Sequence, residues 1–184
     1  MRTNIVVVTA LPEELGQVQM PDNISIYHSG IGKINATMAV MKAIYEKSPS
    51  LIVNFGTAGS VVPGLQGLLP ISRAVQRDVI TTMAPRGQMP YCPRPQVYAS
   101  SVANGYTCGT GDSFVTAPDP WFQESGVEVV DMELFAIAAV AHEHGVPWLS
   151  YKYVTDYADE EAVEIWKRDK HLGQQQFLDV LTTL

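Results

Sequence analysis

The sequence has 184 residues, of which 46% are hydrophobic and 17% are charged. This length and apolar content predict one domain, residues 1–184, with a sizeable buried core. The formal net charge of -7 repels phosphate backbones, so nucleic acids and anionic membranes are poor candidate partners.

The N-terminal apolar run Ile5–Val8 is too short for a signal-peptide core, and no apolar run approaches the roughly 18 to 20 residues of a membrane span. Cys92 and Cys108 lack CxxC spacing. His142 and His144 are two residues apart and would point to different faces of a helix. We therefore expect a cytoplasmic protein with reduced thiols, no metal site and no cofactor.

Short β-branched runs alternate along the chain with helical patterns, which predicts an α/β fold with helices packed on the faces of a sheet. The predicted strands are Ile5–Thr9, Ile24–His28, Leu51–Phe55, Leu69–Ala74, Tyr106–Gly109, Val127–Val130 and Leu149–Thr155.

Three segments predict helices. Asn35–Lys47 repeats apolar residues with helical period, and Met132–His144 is apolar nearly all round and ends before Gly145. A C-terminal helix is expected to start around Asp159–Glu161, whose negative charges suit a helix N-terminus. The proline-rich segment Met83–Pro95 predicts an irregular loop, and such loops often serve as lids or contacts.

Three acidic residues occupy positions where α/β sheets place ligands, namely strand ends and first helical turns. Glu14 follows the first strand, although Pro12 also predicts a helix start there, with the acid favouring the helix dipole. Glu133 is expected one turn into an apolar helix, where an unpaired carboxylate is costly. Asp156 ends a predicted strand and could instead cap the following turn. Taken together, the three favour general acid and base chemistry.

Glycine-containing segments next to these acids allow close backbone approach, at Ser29–Lys33, Gly56–Gly59 and Thr110–Phe114. The first is not a phosphate-binding loop, because the upstream glycine is missing and Ile34 replaces the required Ser or Thr. No GxSxG motif occurs. With Phe114 available to stack on a flat base, the residues suit proton transfer to a heterocyclic leaving group.

Seven segments, in the same order, resemble the methylthioadenosine/S-adenosylhomocysteine nucleosidases of the nucleoside phosphorylase and nucleosidase superfamily. They are Ala10–Glu14, Ser29–Lys33, Asn54–Gly59, Gly87–Pro93, Gly111–Val115, Val130–Glu133 and Lys152–Asp156. The resemblance implies a three-layer α/β sandwich with a central mixed, twisted sheet flanked by helices. It also implies a homodimer without a cofactor.

The resemblance implies that the protein hydrolyses the N-glycosidic bond of a 5'-modified adenine nucleoside, such as 5'-methylthioadenosine or S-adenosylhomocysteine, as in methionine salvage. Glu14 would activate the attacking water, Glu133 would bind the ribose hydroxyls and Asp156 would protonate purine N7. Cleavage builds positive charge on the sugar and negative charge on the base, so these roles favour the transition state.

The resemblance also implies that Phe114 and Val115 contact the base, Val115 through its backbone, and that Met132 packs beneath the ribose. The full set of implied substrate-binding residues is Leu11, Ile31, Thr57, Ala58, Gly59, Phe114, Val115, Asp131, Met132, Lys152 and Thr155.

Two alternatives to hydrolysis are a phosphate-dependent nucleoside phosphorylase and a noncatalytic nucleoside-binding protein. Phosphorylases of the superfamily hold phosphate with arginines, at places where this chain has Asn54 and the segment Pro12–Glu14. A carboxylate there repels phosphate but suits a base for water. A noncatalytic protein would not need a buried acid at Asp156.

This sequence also departs from the family pattern. Lys152 replaces a common arginine, and Thr57 replaces a common serine. The relatives carry an extra strand pair where this chain has only Met20–Ile24, and the loop around Met83 is shorter. Because that loop lies near the 5' side of the sugar in the family, the sequence leaves the 5' substituent open.

Overall fold

The computed structural model describes residues 3–184, which form eight strands and six helices. The strands are β1 (Ile5–Thr9), β2 (Ile24–His28), β3 (Leu51–Ser60), β4 (Gly67–Gln76), β5 (Val97–Ala99), β6 (Tyr106–Thr110), β7 (Val129–Asp131) and β8 (Trp148–Asp156). The helices are α1 (Pro12–Leu15), α2 (Lys33–Lys47), α3 (Pro120–Ser125), α4 (Leu134–Glu143), α5 (Ala162–Asp169) and α6 (Gln174–Leu181).

All eight strands belong to one mixed sheet. Strands β3, β7, β6 and β4 lie side by side, and the sheet curls so that β8 pairs with both β3 and β4. β1 pairs in parallel with β2 and β3, and β3 pairs in parallel with β8. β8 runs antiparallel to β4, which is parallel to β6, and β6 is parallel to β7. The end of β7 then pairs antiparallel with the end of β3. The curl brings the carboxyl ends of several strands to one place.

Side chains of β1 alternate between two cores, as strand geometry requires. Ile5 and Val7 pack in the core that contains residues of α1 and α6, whereas Val6 and Val8 pack in the core that contains residues of α2 and α4. Helices therefore cover both faces of the sheet, which confirms the predicted three-layer α/β architecture.

Most strand predictions are confirmed within a few residues. β1 and β2 have the predicted bounds, but β3 continues five residues beyond Phe55 because its second half pairs with β8. Two elements were not predicted. β5 is a three-residue edge strand, and α3 begins after Asp119, whose side chain accepts the N–H of Trp121.

Two helix predictions need correction. Helix α4 begins at Leu134, because the carboxylate of Asp131 accepts the Leu134 N–H at 2.8 Å. Glu133 is thus the N-cap residue of α4 and does not lie one turn inside the helix. The C-terminal region forms two helices, because Gly173 adopts a φ of +84° and a Cβ there would collide with Tyr153.

The segment Met83–Pro95 contains no helix or strand, as predicted. Within residues 3–184, no helix combines the length and apolar character that a membrane crossing needs. In the same residues, no three His, Cys, Asp or Glu side chains form a group that could hold a metal ion.

Candidate active site

A cavity opens where the curled sheet brings the ends of β1, β3, β4, β6, β7 and β8 together. Its empty volume is about 540 Å³, including the open mouth. Its wall consists of Ala10, Glu14, Ile31, Thr57, Ala58, Gly59, Arg77, Ser113, Phe114, Val115, Val130, Asp131, Met132, Glu133, Asp156 and Trp166.

Glu14 lies in α1 directly after β1, and its side chain is buried. Its Oε2 atom accepts hydrogen bonds from the backbone N–H groups of Ala10 at 2.9 Å and Leu11 at 3.0 Å. Its Oε1 atom accepts from the backbone N–H and the hydroxyl of Thr57, each at 3.1 Å. These donors satisfy both oxygens, which allows a negative charge to be buried here.

Glu133 is buried at the start of α4, where it is the N-cap residue. Its Oε1 atom accepts the N–H of Gly32 at 2.8 Å, and Gly32 adopts a φ of +96° that favours glycine. Burial raises the pKa of Glu133 to about 7, and the negative charge of Asp131 contributes to the rise. Glu133 therefore changes its charge near neutral pH.

Asp156 is the last residue of β8 and is buried. Burial raises the pKa of Asp156, although hydrogen bonds from the Thr155 hydroxyl at 2.7 Å and the Ala158 N–H at 3.0 Å oppose the rise. A Cβ at Gly59 would lie 2.6 Å from Asp156 Oδ1, so only glycine leaves room for this carboxyl group. Burial thus shifts Asp156 toward its protonated form relative to an exposed aspartate.

A buried ion pair joins Asp131 to Lys152, with 2.7 Å between Oδ2 and Nζ and both side chains 1% exposed. Burial alone would raise the pKa of Asp131 and lower that of Lys152, but their attraction reverses both shifts. Asp131 also accepts from the Thr110 hydroxyl at 2.6 Å. A Cβ at Gly56 would lie 3.3 Å from the Lys152 Nζ and 3.5 Å from Glu14 Oε1, so glycine lets both groups pack here.

Arg77 follows β4, and its buried side chain forms part of the cavity wall. Its Nη2 atom donates to the carbonyls of Gly111, at 2.9 Å, and Ser113, and its Nη1 atom donates to the Ser113 hydroxyl at 3.2 Å. Burial lowers the pKa of Arg77, and the charges of Asp131 and Asp78 oppose this shift. The guanidinium thus fixes the loop that leads to Phe114.

The structure places eleven of the fourteen predicted site residues on the cavity wall, including all three acids. Leu11, Lys152 and Thr155 lie behind it. Leu11 donates its N–H to Glu14, Lys152 pairs with Asp131, and Thr155 donates its hydroxyl to Asp156. Each of the three therefore contacts an acidic residue of the wall.

The sequence of this chain has relatives among known proteins. The family model of the phosphorylase superfamily matches residues 16–184. A 5'-methylthioadenosine/S-adenosylhomocysteine nucleosidase from Actinobacillus succinogenes is 30% identical over 163 residues, covering 76% of this chain and 70% of that protein. The chain belongs to this nucleosidase family of the phosphorylase superfamily. The family resemblance noted from seven segments is thereby confirmed.

Two further comparisons agree with family membership. The nucleosidase of the same name from Listeria welshimeri is 31% identical over 179 residues, covering 82% of this chain and 76% of that protein. A Helicobacter pylori MTAN mutant with 5'-methylthioadenosine in its active site has the same fold. It is 21% identical, with a TM-score of 0.87 and 100% coverage of both chains.

Sequence reasoning missed five residues of the wall: Ala10, Arg77, Ser113, Val130 and Trp166. Arg77 could have been found, because it follows a strand parallel to β6 and strand ends were already the criterion for the three acids. Trp166 carries no such signal. It reaches the cavity from α5 only because that helix folds back onto β8.

Proposed function

We propose that this member of the nucleosidase family hydrolyses the N-glycosidic bond of a 5'-modified adenine nucleoside, such as 5'-methylthioadenosine or S-adenosylhomocysteine. The products are the free base and a ribose derivative. One observation carries the proposal: Glu14, Glu133 and Asp156 line a single cavity that also contains the aromatic ring of Phe114.

Departure of the base requires a proton, because negative charge develops on the purine as the bond breaks. Asp156 supplies it to N7. The raised pKa of Asp156 supports this role, since it increases the fraction of enzyme that carries the proton. Phe114, 39% exposed at the cavity wall, offers a face on which the base stacks.

Water must lose a proton as it attacks the sugar, and Glu14 is the general base that accepts this proton. Its two oxygens already accept four hydrogen bonds, three from backbone N–H groups and one from the Thr57 hydroxyl. These donors fix the orientation of the carboxylate, which takes a proton from the water as the water attacks the sugar.

Glu133 binds the ribose hydroxyls as an anion, which predicts a pH dependence of substrate affinity. With a pKa of about 7, Glu133 is mostly neutral at pH 6 and mostly charged at pH 8. We therefore expect the KM of the wild-type enzyme to fall as the pH rises through 7. The Glu133→Gln variant should have a KM about tenfold higher at pH 8 and lose this dependence. Unchanged affinity in the variant would contradict the ribose role.

Water is the proposed acceptor in preference to phosphate. The negative charge of Glu14 repels phosphate at the place where water is needed. Arg77 is the one cationic side chain on the wall formed by the described residues, and it is bound to carbonyl oxygens of its own chain. Asn54, at the position of a phosphorylase arginine, bonds the Val8 carbonyl and the Ser150 hydroxyl inside the sheet.

The decisive experiment is a panel of nucleosides incubated with purified protein, with and without phosphate, and read by release of free base. The panel comprises 5'-methylthioadenosine, S-adenosylhomocysteine, deoxyadenosine and inosine. Inosine is included because it carries an oxo group where adenosine carries an amine. We expect phosphate-independent release of adenine. Formation of a ribose 1-phosphate, or no release from any nucleoside, would overturn the proposal.

We also propose that the protein is a homodimer that contacts its partner through the α2 face. This face consists of Ile34, Met38, Met41 and Tyr45, which are 44% to 91% exposed and recur at helical spacing. An exposed apolar stripe of this kind is typical of an interaction site. A second copy of the chain is the partner that the family resemblance implies.

A charge on the α2 face should disrupt the dimer. We expect the Met38→Asp variant to be monomeric at micromolar concentration, because a buried unpaired carboxylate is costly at an interface. Light scattering coupled to size-exclusion chromatography measures the mass. The Gln175→Asp variant, with the same added charge on the exposed side of α6, should stay dimeric. A wild-type monomer, or a dimeric Met38→Asp variant, would rule out this interface.

The proposal includes a cytoplasmic location and a role in methionine salvage. Both cysteines are free thiols, which is usual for proteins in a reducing compartment. Removal of 5'-methylthioadenosine is the reaction that would place the protein in the salvage of methionine. Localisation of a tagged protein tests the first statement, and growth on methylthioadenosine as sole sulfur source tests the second.

A further inference from the structure

Trp166 is the residue through which helix α5 reaches the cavity. Its half-buried indole ring forms part of the wall and meets Phe114 edge-on, with 5.5 Å between ring centroids and 66° between planes. Its Nε1 atom lies 2.9 Å from Oγ1 of Thr57. The same threonine hydroxyl lies 3.1 Å from Glu14. Trp166 thus contacts both the stacking residue and the partner of the acid that activates water.

The direction of these hydrogen bonds follows from the groups that form them. The indole N–H can only donate, so Oγ1 of Thr57 must accept from Trp166. A hydroxyl has a single proton, and the ionised carboxylate of Glu14 can only accept. The proton of Thr57 therefore points to Glu14. Hydrogen bonds in such a chain polarise and strengthen one another, most of all where water is excluded.

We infer that Trp166 is a positioning residue for Glu14. The indole N–H of Trp166 commits the Thr57 hydroxyl proton to the Glu14 carboxylate, which activates water. The inference rests on the proposed hydrolysis, in which Glu14 takes a proton from water. Without the indole N–H, the Thr57 hydroxyl would be free to rotate, and Glu14 would lose a constant donor. The effect should fall on the rate of the chemical step and leave nucleoside binding largely unchanged.

A double-mutant cycle between Trp166 and Thr57 tests this role. The Trp166→Phe variant keeps an aromatic ring near Phe114 but loses the N–H. We expect it to lower kcat about tenfold, with less than about a threefold change in KM. In the Thr57→Ala background, the same replacement should change kcat less than about twofold, because the hydroxyl that links Trp166 to Glu14 is already absent. In the Thr57→Ser background, which keeps the hydroxyl, the tenfold effect should return.

Other outcomes of the cycle overturn the inference. If Trp166 only covers the cavity, its replacement will lower kcat by the same factor in the wild-type and Thr57→Ala backgrounds, so the two effects will multiply. A loss confined to KM would assign Trp166 to substrate binding through its contact with Phe114. Circular dichroism establishes that each variant is folded before its kinetics are interpreted.

Nuclear magnetic resonance tests the contact without any activity. The chain has three tryptophans, so its indole N–H region holds three signals, and the Trp166→Phe variant identifies the one from Trp166. We expect Thr57→Ala to shift that signal and to speed its exchange with solvent at least about tenfold, with Thr57→Ser close to wild type. An unchanged signal in Thr57→Ala would overturn the inference.

If the wild-type protein releases no base from any nucleoside, the proposed function fails. If the protein is active but the cycle is multiplicative, only the inference fails.

Discussion

Replacing Asp156 with asparagine is expected to lower kcat by about three orders of magnitude, within the range of general-acid effects. Asparagine keeps the shape of the side chain. Its amide oxygen can accept the Ala158 N–H, and its NH2 group can donate to the Thr155 hydroxyl, which turns to accept. It cannot give a proton to N7 of the departing base. The rate of base release at saturating nucleoside, measured on the purified variant, checks this prediction.

The matched control is Asp22→Asn, which makes the same chemical change at an exposed carboxylate. Its activity should stay within about twofold of wild type, as is usual for surface substitutions. The wild-type enzyme should also lose activity at high pH, because Asp156 gives up its proton as the pH rises through its elevated pKa. An Asp156→Asn variant with near-normal kcat would remove Asp156 from the mechanism.

Replacing Glu14 with glutamine is expected to lower kcat by about two to four orders of magnitude, because an amide cannot take a proton from water. Stability should fall as well. The amide NH2 would face either two backbone N–H groups or the donors of Thr57, and each lost hydrogen bond costs about 1 kcal/mol. Single-turnover kinetics and thermal unfolding measure the two effects separately.

Glu13→Gln is the control for Glu14, since the neighbouring side chain is largely exposed and its salt bridge with Lys170, at 3.6 Å, lies at the surface. Surface ion pairs of this kind contribute little to stability, so both activity and stability should be close to wild type. Equal losses in the two variants would indicate that charge in α1 matters in general and that Glu14 has no special role.

The sequence predicted much of the secondary structure from local patterns. The β-branched run of β1 and the apolar pattern of Met132–His144 gave elements close to those observed. Local patterns failed where a distant contact sets an element's end. Gly173 adopts a positive φ between α5 and α6 and packs against Tyr153, and Asp131 sets the start of α4 through one side-chain hydrogen bond. Neither contact has a signature in a single window of sequence.

The acids of the candidate site followed from their positions at strand ends, together with the family resemblance. The roles of neighbouring polar groups did not. Lys152 was expected to bind substrate, but it is not part of the cavity wall and forms a buried ion pair with Asp131. Arg77 and Trp166 were overlooked, because sequence spacing says nothing about which loop a guanidinium holds or which hydroxyl an indole reaches.

By itself, the sequence determined the α/β class, the bounds of β1 and β2, and the identity of Glu14, Glu133 and Asp156 as candidate acids. Alternation and helical periodicity are properties of neighbouring residues, so they can be recognised without tertiary contacts. Only the tertiary structure decided that the sheet curls until β7 meets β3. That closure brings the acids to one cavity and buries them, and burial is the physical cause that raises the pKa of Glu133 and Asp156.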